Sequence, residues 1–388
     1  MTACIVGWHH TPFGKHENAT IESLLTEATQ GALAHAGVEG KDIDQIMVGH
    51  FNHGFSNQGF AASLPLNADD SLRFTPSTRV ENACATGSAA IHQAAALIEA
   101  KLARIVLVVG GEVMTQTPGP EIGVNLQKAS YVVEEGDTPG GFAGVFGRIA
   151  DGYFQTYGDQ TDALAMIAAK NHKAGCNNPL AQMQRDFGYE FCRFESDKNP
   201  RVAGPLKRTD CSLVSDGAAA VVMCDVETAL QMEQATILRG RAQVNDFLPM
   251  SRRDMTYLEG CAEAWRQVHE RAGTTVDSLD LAETHDCFTI AELMQVEAMG
   301  MAARGKGAEV VSAGDTDRGG RLPLNMSGGL KAKGHPIGAT GISMHIMASR
   351  QVLGEADDMQ VEGAQLAGVF NMGGAGVANF CSIVEALR

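Results

Sequence analysis

The stretch Lys41–Asn52, KDIDQIMVGHFN, has a counterpart in the second half of the chain, Val276–Phe288, VDSLDLAETHDCF. Each follows a helical pattern closed by a glycine: Ile21 to Ala36 and then Gly37, Tyr257 to Ala272 and then Gly273. Each opens on an acidic turn, Asp42-Ile43-Asp44 or Asp277-Ser278-Leu279-Asp280, and runs into a short apolar strand. Helix, glycine stop, acidic turn and strand are thus used twice. A second pair of units repeats as well. A helical pattern from Cys84 to Leu102 leads into RIVLVVGGE (Arg104–Glu112), and one from Ala339 to Leu353 leads into QLAGVFNMGGAG (Gln365–Gly376). Continuous apolar runs alternating with helices predict strands covered on both faces. The chain therefore reads as two similar α/β halves, stacked as layers around shared central helices.

Between the halves, from Thr115 to Arg208, the pattern breaks into TPGPEIG, EEGDTPGGFAG and a Cys/Asn/Pro-rich stretch. One helix is expected to cross it, at TDALAMIAAKNHKAG. Long excursions from a regular scaffold carry specificity, so this region is expected to be loop or lid over a site. SLVSDGAAAVVMCD then returns to the scaffold as a strand. The expected division is residues 1–114 with 209–235 as the first half, 115–208 as an inserted loop domain and 236–388 as the second half.

The 388 residues, 44% of them apolar, suffice for a sizeable core. A formal charge of −16 argues against nucleic acid and anionic membranes as partners. An anionic small molecule would need a local basic pocket. The nine cysteines include no CxxC pair, which fits reduced thiols better than disulfides or zinc knuckles. The N-terminus lacks a signal-peptide pattern, no apolar run reaches the ~18 residues of a membrane span, and Ala386-Leu387-Arg388 is no peroxisomal tripeptide. The expected compartment is the cytoplasm.

Cys84 stands at a predicted helix start among Ala83, Ala85 and Gly87. Unpaired N–H groups there favour a thiolate, so a depressed thiol pKa is expected, although packing is the commoner role of a lone cysteine. His335 lies between Gly334 and Pro336 in NMSGGLKAKGHPIGATG, placed to activate a thiol or to bond a loop carbonyl. His285 and Cys287 end a second-half strand in THDCF. A histidine there suits an oxyanion and a thiol suits proton transfer; burial is the plainer alternative for the thiol. Gly373 and Gly374 expose N–H groups after a strand. His9, His10, His50 and His53 lack ligand partners at metal spacing, so no metal site is expected. Phe142 and Phe146 are candidates for an acyl pocket or for loop packing.

Together, ENACATGSAA, SDGAAAVVM, THDCF and NMSGGLKAKGHPIGATG resemble the thiolase superfamily, and most closely its sterol-carrier-protein type. The segment Asp151–Gln182 is similar to the family's loop domain. The resemblance spans nearly the whole chain. It implies a duplicated five-layer αβαβα fold with an inserted loop domain. It also implies an acyl-CoA C-acyltransferase that cleaves 3-ketoacyl-CoA with coenzyme A or runs the reverse Claisen condensation. Cys84 would carry the acyl group and His335 would activate it. His285 would line one oxyanion hole, directly or through water, and Gly373 with the Cys84 N–H would form the other. The usual CxG cysteine is replaced by Asn371, so Cys287 would serve as second acid/base. Coenzyme A is expected as substrate, with no permanently bound cofactor. Lys207 and Arg208 are the candidates for its phosphates, with Arg252 and Arg253 as further basic residues. A homodimer or tetramer is implied, and a small zinc-ribbon/OB-fold partner protein is one option. A decarboxylating ketosynthase, which also uses a Cys-His-His set, and a partner-dependent or non-catalytic subunit are the rival readings.

Overall fold

The computed structural model describes residues 2–387, so the C-terminal Arg388 read above lies outside the described residues. Nine strands build the main sheet: β1 (Ala3–His10), β2 (Gln45–Gly49), β3 (Ser77–Val80), β4 (Ile105–Glu112), β5 (Gly217–Asp225), β6 (Thr236–Asn245), β7 (Leu281–Glu283), β8 (Leu366–Gly373) and β9 (Ala378–Ala386). Their order is β3-β2-β4-β5-β1-β6-β9-β8-β7. Leu324 adds a parallel bridge to Ala282, beyond β7. Read outward from the β1/β6 junction, each half has the same order, with the Leu324 bridge standing where β3 stands. The halves meet over only two registered pairs, Cys4 with Ile237 and Ile5 with Thr236.

The repeat holds for the helices too. Helix α1 (Ile21–Ala36) packs on β1, β4 and β5, and its second-half equivalent, α5 (Glu259–Ala272), packs on β6 and β9. Both end at a left-handed glycine, Gly37 (φ 66°) and Gly273 (φ 65°), as the sequence pattern predicts. Helix α2 (Thr86–Glu99) packs against α7 (Ile337–Val352), and these two form the central layer. Every residue of α7 but Arg350 is buried, as a helix packed against strands of both halves requires. A Cβ on Gly87 would lie 2.8 Å from the Gly341 nitrogen, and one on Gly341 would lie 2.2 Å from the Ser88 nitrogen. These glycines let the two backbones touch, which brings the heads of α2 and α7 together.

The insertion differs from the loop expected. Three substantial helices cross it: Gly119–Gln127, α3 (Gly141–Tyr157) and α4 (Thr161–Gly175). Only the last was anticipated. Glycines at 141, 144, 147 and 152 hide α3 in the sequence. Burial of Phe142, Val145, Phe146, Ile149 and Tyr153 compensates for their weak helix propensity. No helix among the described residues is long and apolar enough to cross a membrane.

Candidate active site

Cys84 is placed by a tight turn rather than by the helix itself. Helix α2 begins at Thr86 with Ala85 as its cap. Ala83, a non-glycine residue, takes the left-handed conformation (φ 48°) just before the cysteine. The Thr86 hydroxyl holds the turn: it accepts from the Asn82 N–H (2.9 Å) and donates to the Ala83 carbonyl (2.6 Å). Strain of this kind, of order 1–2 kcal/mol, persists only where the surroundings impose it.

His335 occupies the same place in the repeat, two residues before α7. Its backbone N–H donates to the Ser215 hydroxyl at 2.9 Å. His285 follows β7 in the stretch that leads to α6 (Thr289–Ala298). Its backbone is held from both sides by Gln295, which accepts from the His285 N–H (2.9 Å) and donates to its carbonyl (2.7 Å). The Cys84 sulfur and one ring nitrogen from each histidine lie within 4.8 Å of one another. The two rings stand nearly perpendicular, 5.3 Å apart. Cys287 is buried, with its thiol in the field of Cys84.

The partners at Nδ1 decide what each histidine can do. The Asn371 amide nitrogen donates to the Cys84 carbonyl (3.1 Å), which fixes the amide's orientation. The same nitrogen lies 2.9 Å from His285 Nδ1. That atom must therefore accept, and the His285 proton resides on Nε2. At His335 the logic reverses. The Thr340 hydroxyl donates to the Pro336 carbonyl (2.9 Å), so it accepts from His335 Nδ1 at 2.7 Å. The lone pair of His335 is then on Nε2. Both Nε2 atoms are buried and have no protein partner. One imidazole presents a donor to the thiol's pocket and the other presents a base.

The electrostatics correct one expectation. Burial pushes the Cys84 thiol up to about 12, although the backbone N–H groups of Gly374 and of Cys84 itself pull the other way. The helix-start donors are present, but the dry pocket outweighs them. Burial also lowers His335 to about 3 and His285 well below the usual imidazole range. Cys287 is raised by burial first, then by Cys84. The resting site is a neutral thiol beside two neutral imidazoles.

The remaining candidates separate. The N–H that reaches the Cys84 sulfur is that of Gly374 (φ 62°), one residue beyond Gly373. Gly373 instead gives close passage to Asn82, whose carbonyl oxygen would be 2.2 Å from a Cβ there. Lys207 is buried in an ion pair with Asp210 (3.1 Å) and is closed to a ligand. Arg208 lines a cavity of about 360 Å³ together with Arg185, Lys198, Phe187, Phe191 and Leu213. That cavity is a local basic pocket on an acidic chain. Arg252 lies over the Phe247 ring and Arg253 donates to the Ala375 carbonyl (2.7 Å), and neither lines this cavity. A cavity of about 780 Å³ beside α4 and Ser312–Arg318 holds none of the reacting groups.

Phe142 and Phe146 belong to an aromatic cluster with Phe288, the neighbour of Cys287; the Phe146 and Phe288 rings stack at 4.4 Å. Thr340, Arg185 and Lys198 escaped the sequence reading, whereas Gly374 stood in it beside Gly373. Thr340 alone had a signal, standing one turn into the helix that His335 opens.

Residues 3–189 match the thiolase N-terminal domain and residues 221–386 the thiolase C-terminal domain. An acetyl-CoA acetyltransferase of Methanothermobacter thermautotrophicus is 35% identical over 376 residues, covering 96% of each chain. This chain belongs to the thiolase family. As a thiolase it is an enzyme of the acyltransferase class. Sterol carrier protein 2 of Bos taurus is 33% identical over 95% of this thiolase and 69% of its own length. Among solved structures, an Ltp2–ChsH2(DUF35) aldolase superposes with a TM-score of 0.84 at 22% identity, over 100% of this chain and 98% of that one. The Acat5 thiolase of Ascaris suum, solved with coenzyme A, gives 0.75 at 16% identity over the full length of both. These likenesses agree with the duplicated, layered α/β fold.

Proposed function

We propose that Cys84 carries the acyl group in thiolytic cleavage of 3-ketoacyl-CoA and in the reverse Claisen condensation. The observation that carries this reading is the pairing of a buried thiol with an imidazole lone pair at His335 and an imidazole N–H at His285. In a dry pocket, separated charges are costly. The Cys84 proton therefore moves to His335 Nε2 as the sulfur attacks the carbonyl, rather than beforehand. The Cys84 and Gly374 N–H groups receive the oxygen of the acylated thiol. His285 Nε2–H receives the enolate oxygen of the departing acetyl-CoA, and Cys287 protonates its carbon. Covalent transfer splits one difficult carbon–carbon cleavage into two easier steps.

Arg185, Lys198 and Arg208 are proposed to hold the coenzyme A phosphates, with Lys207 withdrawn from that role. Phe142, Phe146 and Phe288 are proposed to bound the acyl group. A homodimer is proposed through β3, whose outer edge pairs with no strand among the described residues and is flanked by exposed Phe60 and Phe74. A structural neighbour was solved as a complex with ChsH2(DUF35), so a second protein chain stays within the proposal; co-purification tests it.

Intact-protein mass spectrometry after mixing with acetoacetyl-CoA tests the central claim. The wild-type chain gains one acyl mass and Cys84→Ala gains none. Acylation of Cys84→Ala at the wild-type rate would overturn it. Cys287→Ala is expected to acylate from acetyl-CoA but to lose hydrogen exchange at the acetyl methyl.

A further inference from the structure

Cys84, His285 and His335 present one sulfur and two imidazole nitrogens within 4.8 Å, all buried. By residue type this is a ligand set for a soft divalent cation such as zinc. Bonds of roughly 2.0–2.3 Å would need the three atoms to close to less than about 4 Å, a small contraction. One feature opposes capture. A ring nitrogen binds a metal through its lone pair, and the unpartnered nitrogen of His285, Nε2, carries its proton instead. The cause is Asn371, whose amide nitrogen is committed to both the Cys84 carbonyl and His285 Nδ1. Turning the amide over would set its oxygen against the Cys84 carbonyl oxygen.

We propose that Asn371 is a positioning residue that locks His285 as an Nε2–H donor, and thereby keeps this cluster an oxyanion site rather than a metal site. The inference deepens the thiolase reading of the site, but its tests do not depend on turnover. An asparagine here also does what a thiol could not do as well. It offers two amide N–H groups in one plane and never exposes a lone pair of its nitrogen to the ring. A carboxylate at the same place would do the reverse. It would accept from Nδ1–H, free the Nε2 lone pair and strengthen it as a ligand, as carboxylates behind metal-bound histidines do.

Two measurements test this. The first uses the wild-type protein labelled with ¹⁵N-histidine, its His285 signals assigned by loss in His285→Gln. His285 is expected as the Nε2–H tautomer and His335 as the Nδ1–H tautomer. The second is a Co²⁺ titration above neutral pH, read by the sulfur-to-cobalt charge-transfer band. Formation of that band requires Cys84 to give up its proton to the buffer. Asn371→Asp is expected to bind Co²⁺ about 10–100-fold more tightly than wild type, with the band absent from the Cys84→Ser, Asn371→Asp double variant. A wild-type His285 protonated on Nδ1, or wild-type Co²⁺ affinity equal to that of Asn371→Asp, would overturn the proposal. Should Asn371→Asp fail to fold, the wild-type tautomer decides alone. Failure of acylation in the mass-spectrometry assay would remove the thiolase mechanism and leave both of these readouts intact.

Discussion

Each half of the molecule places a histidine just after its second strand and a polar side chain near the end of the strand beside it, β4 or β8, and pairs the two. In the first half these are His50 and Glu112, with His50 Nδ1 2.9 Å from Glu112 Oε1 and both side chains fully buried. In the second they are His285 and Asn371. Burial pulls His50 down, but the charge and hydrogen bond of Glu112 outweigh it and leave its pKa above the usual range. Burial pushes Glu112 up, yet His50 and the backbone donors bring it below the carboxylate range. Glu112 also accepts from the N–H groups of Phe51 (3.1 Å), Asn52 (2.8 Å) and Gly338 (3.0 Å). The first-half pair is thus an ion pair that ties β2 and β4 to the head of α7. The second-half pair is neutral and leaves its outer nitrogen buried without a protein partner. Corresponding strand ends have become a clamp in one copy and chemistry in the other, but from different registers: Met47 matches Glu283 and Val108 matches Val369, so His50 stands where the second half has Asp286, and Glu112 where it has Gly373. The outcome turns on a carboxylate partner in one half and an amide in the other.

The largest effect should come from breaking the clamp. Glu112→Ala leaves three backbone donors unpartnered and the buried His50 with only the Gly111 carbonyl (3.0 Å), a loss of roughly 3–5 kcal/mol of stability by analogy with other broken buried pairs. The loss should depend on pH. The pair contributes fully between the ordinary carboxylate and imidazole ranges, about pH 4.3 to 6.5. Its contribution falls away as pH drops through the lowered Glu112 value, and again as pH rises through the raised His50 value. Urea denaturation should therefore show a larger wild-type minus variant difference at pH 6 than at pH 9. An equal difference at both would mean that His50 is uncharged in the native protein.

Removing the second-half histidine should affect rate more than stability. His285→Ala deletes the proposed enolate donor, at a barrier of roughly 3 kcal/mol, or about 10²-fold in kcat for carbon–carbon cleavage. Single-turnover acylation by acetyl-CoA, which uses the backbone donors, should fall far less. Equal loss in both steps would place His285 elsewhere in the mechanism. The contrast with Glu112→Ala, which should lower the melting temperature while the surviving folded fraction still acylates, separates clamp from chemistry.

Short local stretches made much of this legible. Cys84 and His335 each stand among small residues at the head of a helix, the His285–Cys287 pair follows a strand, and the repeat predicts that the halves stack around shared central helices. What could not be read was whatever depends on enclosure. Cys84 has the donors that suggest a reactive thiolate, but its pKa is set by sheets and helices far away in sequence. Lys207 and Arg208 are neighbours, yet Asp210 draws one inward and leaves the other at the basic cavity. Asn371 read as a missing thiol, because its partner lies 86 positions earlier and only the fold brings them together. Helix α3 was obscured by glycines whose weak propensity is overcome by a buried aromatic face.

The smallest expected effect tests the other tautomer. Thr340 holds His335 with the proton on Nδ1, because its own hydroxyl proton is given to the Pro336 carbonyl. Thr340→Val keeps the shape and removes the acceptor. His335 then divides between its two neutral tautomers, and only one of them can take the Cys84 proton. Loss of one neutral hydrogen bond is worth about 1 kcal/mol, so acylation should slow by roughly fivefold with little change in KM. His335 is held near pKa 3 by burial, so neither wild type nor variant should show an imidazole limb near pH 6.5 in the acylation profile. A limb appearing there in the variant alone would mean that the Thr340 hydroxyl donates to His335 Nδ1 instead of accepting from it, since only a donor to that nitrogen holds the ring neutral. A limb in the wild type would mean that the proton leaves Cys84 before the substrate carbonyl arrives.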